Sequence, residues 1–84
     1  MKVYQSEGFN PKQPVYIGID QSYSGFAITA LNDGYRTTVF KSEKRGVDRL
    51  SEINVHLIDE LLAYDIKDVA IEGYAFGSQM ANML

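Results

Sequence analysis

The chain has 84 residues, of which 45% are hydrophobic and 23% charged, and its formal net charge at pH 7 is −3. This composition is that of one small globular domain, or part of one, and it excludes a disordered or collagen-like chain. There is no cysteine and one histidine, His56, which excludes disulfide frameworks, thiolate zinc sites and multi-histidine metal sites. The negative charge does not indicate a nucleic-acid-binding protein, although a metal-dependent nuclease also concentrates acidic residues around its metals.

The first 14 residues are polar and contain both prolines. They are predicted to form a polar leader or loose arm before a domain at residues 15–84. They contain no apolar run of the kind that a secretory signal needs. No segment approaches 18 uncharged apolar residues, so no membrane span is predicted. We therefore expect a cytoplasmic protein with no membrane partner.

Three strands are predicted next. Residues 15–20 (VYIGID) are a nearly continuous apolar run, which predicts a strand buried on both faces. A small polar loop follows, and residues 25–31 resume as a second strand. An Asn-Asp-Gly sequence at 32–34 predicts a tight turn before a third strand at 35–41. Because both connections are short, the three strands are predicted to form an antiparallel meander.

After the third strand the apolar spacing becomes that of a helix. Asp48 is the predicted N-cap of a helix over residues 48–63, with His56 on its solvated polar face. The predicted buried face carries Leu50, Ile53, Leu57, Ile58 and Leu61. Residues 68–72 (DVAIE) are predicted to be a second buried strand, which the crossover helix allows to join the sheet parallel to the first. A further helix is predicted to start near Ser78.

Two of the predicted strands end in a carboxylate, the first in Asp20 and the last in Glu72. If these strands are parallel neighbours, their carboxyl ends lie about 5 Å apart at one edge of the sheet, where ligand sites of α/β sheets gather. Two carboxylates this close repel each other unless a cation lies between them, and oxygen ligands suit Mg²⁺ or Mn²⁺. The alternative is that Asp20 makes an Asx turn with Ser22 while Glu72 faces solvent. We predict a shared metal site.

The segment IGIDQSYSGFAITAL, followed by a turn, a third strand, an amphipathic helix and VAIEGYAFGS, resembles the RuvC-type Holliday-junction resolvases, especially the bacteriophage variety. The resemblance implies an α/β fold with a ribonuclease-H-like mixed sheet, in which three antiparallel strands precede a crossover helix and a fourth strand parallel to the first. It implies a homodimeric endodeoxyribonuclease of DNA recombination and repair that cuts branched DNA and needs no nucleotide cofactor. Asp20 and Glu72 would be its catalytic ligands to Mg²⁺ or Mn²⁺.

The family completes its site with acidic residues on a late helix, whereas no Asp or Glu follows Glu72 in this sequence. Residues 15–84 are therefore expected to be the N-terminal part of an incomplete ribonuclease-H-like domain. Two carboxylates hold one hard cation loosely, so the 84-residue chain alone is predicted not to cleave DNA.

Further residues are candidates for DNA contacts. Ser22 and Ser24 could touch phosphate, or they could serve only to form the turn. Tyr74 and Phe76 could contact splayed bases, or they could pack in a core or dimer. A basic cluster between the third strand and the helix contains Lys41, Lys44, Arg45 and Arg49. The cluster could contact phosphates of a junction arm or form an ordinary solvated loop.

Two other functions fit parts of the pattern. An actin-like or sugar-kinase-like ATPase also opens with a strand, an aspartate and a polar glycine-containing loop that binds phosphate. A non-catalytic ribonuclease-H-like module that binds protein or DNA would fit the small number of carboxylates. Metal-dependent nicking of branched DNA would favour the nuclease, whereas thermal stabilisation by a nucleotide would favour the ATPase.

Overall fold

The computed structural model of the chain describes residues 1–21 and 25–72, with the backbone alone for Glu72. These residues form an α/β structure with one mixed sheet and one helix. The elements in chain order are β1 (Lys2–Gln5), β2 (Val15–Gln21), β3 (Gly25–Leu31), β4 (Tyr35–Lys41), α1 (Gly46–Leu62) and β5 (Ile66–Glu72). Within these ranges no helix is long and apolar enough to cross a membrane.

The strand order across the sheet is β1-β4-β3-β2-β5. The pair β2–β5 is parallel, and the pairs β2–β3, β3–β4 and β1–β4 are antiparallel. This confirms the predicted meander, the crossover helix and the return of the last strand to a position beside the first predicted strand. The helix makes this return possible because parallel neighbours need a long connection.

The turn between β3 and β4 is confirmed at residues 32–34. The Asn32 backbone N–H donates to the Gly34 carbonyl oxygen at 2.9 Å. The Asn32 side-chain amide donates to the carbonyl oxygen of Asn10 at 2.7 Å. The asparagine therefore both forms the turn and attaches the N-terminal segment to it.

The N-terminal segment contributes a strand that its composition did not indicate. Lys2–Gln5 pairs antiparallel with β4 at the edge of the sheet. Phe9 is buried, and its ring meets that of Tyr64 edge-on with centroids 6.2 Å apart. Residues 2–9 are thus part of the sheet and the core rather than a loose arm, because backbone pairing and one buried ring hold them in place.

The core lies between one face of the sheet and α1. Its buried hydrophobic residues are Phe9, Val15, Ile17, Ile19, Phe26, Ile28, Ala30 and Phe40. Along β2 the buried residues alternate with residues that face the open side, where Tyr16 and Asp20 are exposed. Residues 67–71 of β5 are all exposed. The prediction that residues 15–20 are buried on both faces is therefore wrong, because in the described part of the chain a helix covers only one face. The prediction of a buried strand at the end of the chain is also wrong for residues 68–71, which are exposed.

Helix α1 begins two residues earlier than predicted. Its N-cap is Arg45 in an extended conformation, and no side chain caps the helix. Gly46 has a φ of 60°, a value that glycine adopts without the strain that an L side chain would meet. The assignment of Asp48 as the N-cap is therefore wrong, and its carboxylate lies in the first turn, where it still favours the helix dipole.

The face of α1 that packs on the sheet differs from the predicted face. Ile53, Leu57 and Leu61 pack against the core as predicted. Leu50 and Ile58 do not, since they are 62% and 54% exposed. The apolar residues span more of the helix circumference than one contact covers, so the sheet contact selects only some of them.

The packed face of α1 also contains polar residues. His56 is half-buried and stacks on the ring of Phe40 with centroids 4.1 Å apart. The Thr38 hydroxyl donates to the Glu60 carboxylate at 3.4 Å. The prediction of a solvated His56 is wrong, because the rotation of the helix turns this residue towards the sheet.

Candidate metal centre

The carboxyl ends of β2 and β5 lie side by side. The two strands pair in parallel, and the register places Asp20 opposite Glu72. Neighbouring strands are about 4.8 Å apart, so the two backbone positions are adjacent. The prediction that these two strands are parallel neighbours is confirmed, while the roles of the two residues remain predictions.

The alternation of β2 determines which face Asp20 occupies. Ile17 and Ile19 are buried under α1, so Asp20 projects from the open face, where it is exposed. A depression of about 350 Å³ lies beside it, lined by Gly18, Ile19, Asp20, Ala27, Thr29 and Ala70. A Cβ atom at Gly18 would meet nothing within 4 Å. The open face therefore has room for a ligand next to the carboxylate.

Asp20 offers a carboxylate donor at this edge of the sheet. Within residues 1–21 and 25–72, no hydrogen bond or ion pair engages the Asp20 side chain. The same part of the chain contains no group of three or more His, Cys, Asp or Glu side chains placed to hold a metal ion. Asp20 together with Glu72 would offer hard oxygen ligands, which fit Mg²⁺ or Mn²⁺, but too few of them for tight binding.

One residue of the predicted basic cluster, Lys41, lies at the same edge of the sheet as Asp20. Asp20 pairs with Ala27, Ala27 pairs with Val39, and Lys41 lies two residues beyond Val39 along β4. Because β3 lies between β4 and β2, Lys41 is at least roughly 10 Å from the strand that carries Asp20. Lys41 is exposed, so its ammonium group is available to a phosphate.

The other three basic residues of the cluster surround the start of α1. The Lys44 ammonium is 3.2 Å from the Glu52 carboxylate. The Arg49 guanidinium Nε donates to the carbonyl oxygen of Lys44 at 2.8 Å. Arg45 is the N-cap residue and is exposed. The structure therefore gives Lys44 and Arg49 local partners in addition to their predicted role in DNA contacts.

Lys2 is a basic residue that sequence reasoning missed. It pairs with Val39 in β4, and it therefore belongs to the same transverse row of the sheet as Asp20. The neighbouring Val3 and Tyr4, both of types that are enriched in strands, are the one signal that could have indicated the strand. That signal is weak because the strand has only four residues.

The remaining predicted site residues lie outside the described part of the chain. These are Ser22 and Ser24 in the loop after β2, and Tyr74 and Phe76 after β5. The helix predicted near Ser78 also lies there.

The Asp20 carboxylate lies beside this open depression, and the register places Glu72 opposite it. Two carboxylates that share a divalent cation can present it to a ligand. Such an arrangement suits hydrolysis of a phosphate ester, because the cation neutralises charge on the phosphate.

Comparisons of the chain with protein-family models, with curated proteins and with solved structures find no match.

Proposed function

We propose that this chain carries catalytic carboxylates of a divalent-metal-dependent endodeoxyribonuclease that resolves four-way DNA junctions. The main support is the parallel pairing of β2 with β5, which brings Asp20 beside Glu72. A cation site needs such a pair, and the resemblance to RuvC-type resolvases suggests the substrate. In this proposal the protein acts on branched DNA as a homodimer.

The topology supports a ribonuclease-H-like fold. The elements occur in the order that this fold requires. The meander of β2, β3 and β4 comes first, the crossover helix α1 follows, and the parallel strand β5 comes last. Strand β1 extends the same sheet beyond β4. The proposed site lies at the carboxyl ends of the parallel strands, where α/β sheets bind their ligands.

Each residue at this edge has a proposed role. Asp20 and Glu72 bind the cation through carboxylate oxygens. When bound, Mg²⁺ or Mn²⁺ supplies an activated water and neutralises charge on the phosphate and on the departing 3′-oxygen. The absence of a side chain at Gly18 leaves space for the phosphodiester beside Asp20. Lys2 and Lys41 attract the DNA backbone towards this edge through their charge.

Metal binding tests the proposal directly. Asp20→Asn removes a charge but little volume, so we expect the fold to persist and Mn²⁺ affinity to fall by about tenfold or more. Asp59→Asn is the matched control, since Asp59 is also exposed but lies on α1. Titration calorimetry of the three proteins measures the affinities. Equal Mn²⁺ affinity in the wild type and Asp20→Asn would refute the shared site.

DNA and nucleotide binding distinguish the proposal from its alternatives. A labelled four-way junction should bind in Mn²⁺ more tightly than a linear duplex of the same sequence, and Asp20→Asn should reduce this preference. A rise in melting temperature with Mg²⁺ and ATP, without junction binding, would instead indicate an ATPase.

A further inference from the structure

The side of α1 that faces away from the sheet is apolar and exposed. We define the outer face of α1 as Val47, Leu50, Ser51, Asn54, Val55, Ile58 and Leu62. Its five hydrophobic side chains are between 54% and 78% exposed, and α1 has no buried residue. Helices in stable soluble proteins place most of their apolar circumference against another surface. The outer face is therefore expected to have a partner.

The apolar surface continues from α1 onto β5. Val69 and Ile71 pair with Ile17 and Ile19, whose side chains are buried beneath α1. They therefore lie on the helix side of the sheet, and they are 41% and 58% exposed. Together with the outer face of α1 they form a continuous apolar surface, and a stable interface takes roughly 800 Å² from each partner.

We propose that the outer face of α1 binds the outer face of α1 in a second copy of this chain. Leu50, Asn54, Ile58 and Leu62 follow each other at intervals of four residues. Such rows interdigitate in the commonest class of helix packing, with a crossing angle of about −50°. A two-fold axis near Asn54 places Leu50 of one copy against Ile58 of the other, which makes the interface self-complementary.

The polar residue in the row is compatible with this partner. The Asn54 amide both donates and accepts hydrogen bonds, so the two copies of Asn54 can satisfy each other across the axis. A polar residue at the centre of an apolar helix contact also fixes the register of the two helices. Helix packing with a second copy therefore accounts for the one polar member of the row.

Charge distinguishes a second copy from a nucleic acid as the occupant. The outer face of α1 contains no Lys or Arg that could contact a phosphate. Asp48 and Asp59 are exposed beside it, so the two copies would bring acidic groups together at the rim. Salt screens that repulsion, and the dimer should therefore become tighter as ionic strength rises.

The chain has no cysteine, which makes single-cysteine cross-linking of the full 84-residue chain a clean test. We expect mild oxidation to convert Asn54→Cys into a disulfide-linked dimer, because two copies of this position meet at the axis. Gln13→Cys is the matched control, since Gln13 is exposed and lies outside α1. It should remain largely monomeric on a non-reducing gel.

Light scattering after size exclusion tests the interface without cross-linking. The wild-type chain should be a dimer, and Ile58→Glu and Leu62→Glu should each raise the dissociation constant by about tenfold or more. Gln13→Glu should have little effect, and circular dichroism checks that each variant is folded. A wild type that is monomeric at every concentration would overturn the proposal. A monomer is the result expected if residues 73–84 of the same chain cover this face.

A dimer that neither Ile58→Glu nor Leu62→Glu weakens would also overturn the proposal, because the contact between the copies would then lie elsewhere. The proposal extends the homodimer of the proposed function by naming its interface. Its test needs neither metal nor DNA, so its failure leaves the proposed site at Asp20 and Glu72 unaffected.

Discussion

Gly18 and Gly25 lie in adjacent strands but have different surroundings. A Cβ atom at Gly25 would collide with the backbone carbonyl of Phe40, whereas one at Gly18 would meet nothing within 4 Å. The close approach of β3 to β4 therefore requires glycine at position 25, while the fold does not require it at position 18. This difference separates a glycine that the sheet needs from one that leaves its surface open.

We expect Gly25→Ala to lower the free energy of unfolding by roughly 2–4 kcal/mol, because the clash is with backbone and must displace a strand. Gly18→Ala should change it by less than about 1 kcal/mol, since alanine has the higher strand propensity and the space is free. Urea unfolding followed by circular dichroism measures both values. Similar losses in the two variants would contradict this account of the β3–β4 contact.

At the same scale, the position of Asp20 was predictable and the environment of His56 was not. Asp20 ends an apolar run and its partner ends another, a pattern visible in the sequence. His56 stacks on Phe40 because the sheet contact determines the rotation of α1 about its axis. Helical spacing alone defines a broad apolar arc and does not determine which part of it meets the sheet.

Among the elements, α1 starts without a side-chain cap. Arg45, its N-cap residue, has φ −129° and ψ 153°, the extended conformation from which serine or aspartate accepts hydrogen bonds from the first turn. An arginine side chain cannot accept such a bond. The helix therefore lacks a side-chain acceptor for its first N–H groups. A single substitution at position 45 would provide one.

We expect Arg45→Ser to raise the free energy of unfolding by about 0.5–1.5 kcal/mol. Arg45→Ala is the control, because it removes the same charge without adding an acceptor. Chemical denaturation of the two variants and the wild type measures the difference. Equal stability of the serine and alanine variants would show that the cap is not formed.

The elements themselves differ in how well the sequence predicts them. β2, β3 and β4 are separated by a short polar loop and an Asn-Asp-Gly turn, so their bounds were predicted to within one residue. β1 was missed because four residues carry little pattern, and because its pairing with β4 depends on a partner distant in sequence. The exposure of β5 also could not be predicted, since it depends on which face a helix covers.

At the scale of the whole molecule, the proposed activity depends on the number of acidic ligands. Asp20 and Glu72 can hold one cation, but in-line hydrolysis of DNA by this chemistry uses two. We therefore expect the 84-residue chain alone not to nick a synthetic four-way junction in Mg²⁺ or Mn²⁺. An electrophoretic nicking assay measures this, with Glu72→Gln as the control for contaminating nuclease. Cleavage by the wild type that is lost in the control would show that two carboxylates suffice.

The parallel pairing of β2 with β5 has a consequence for the newborn chain on the ribosome. β2, β3 and β4 can pair as soon as they emerge. The other partner of β2 is β5, which follows only after β3, β4 and the whole of α1 have been made. At about 5–20 residues per second, synthesis of the intervening chain takes several seconds. Throughout that interval Asp20 lacks Glu72, its neighbour in β5. The proposed metal centre is thus the last part of the sheet to assemble, and a nascent chain without β5 has only the Asp20 half of it.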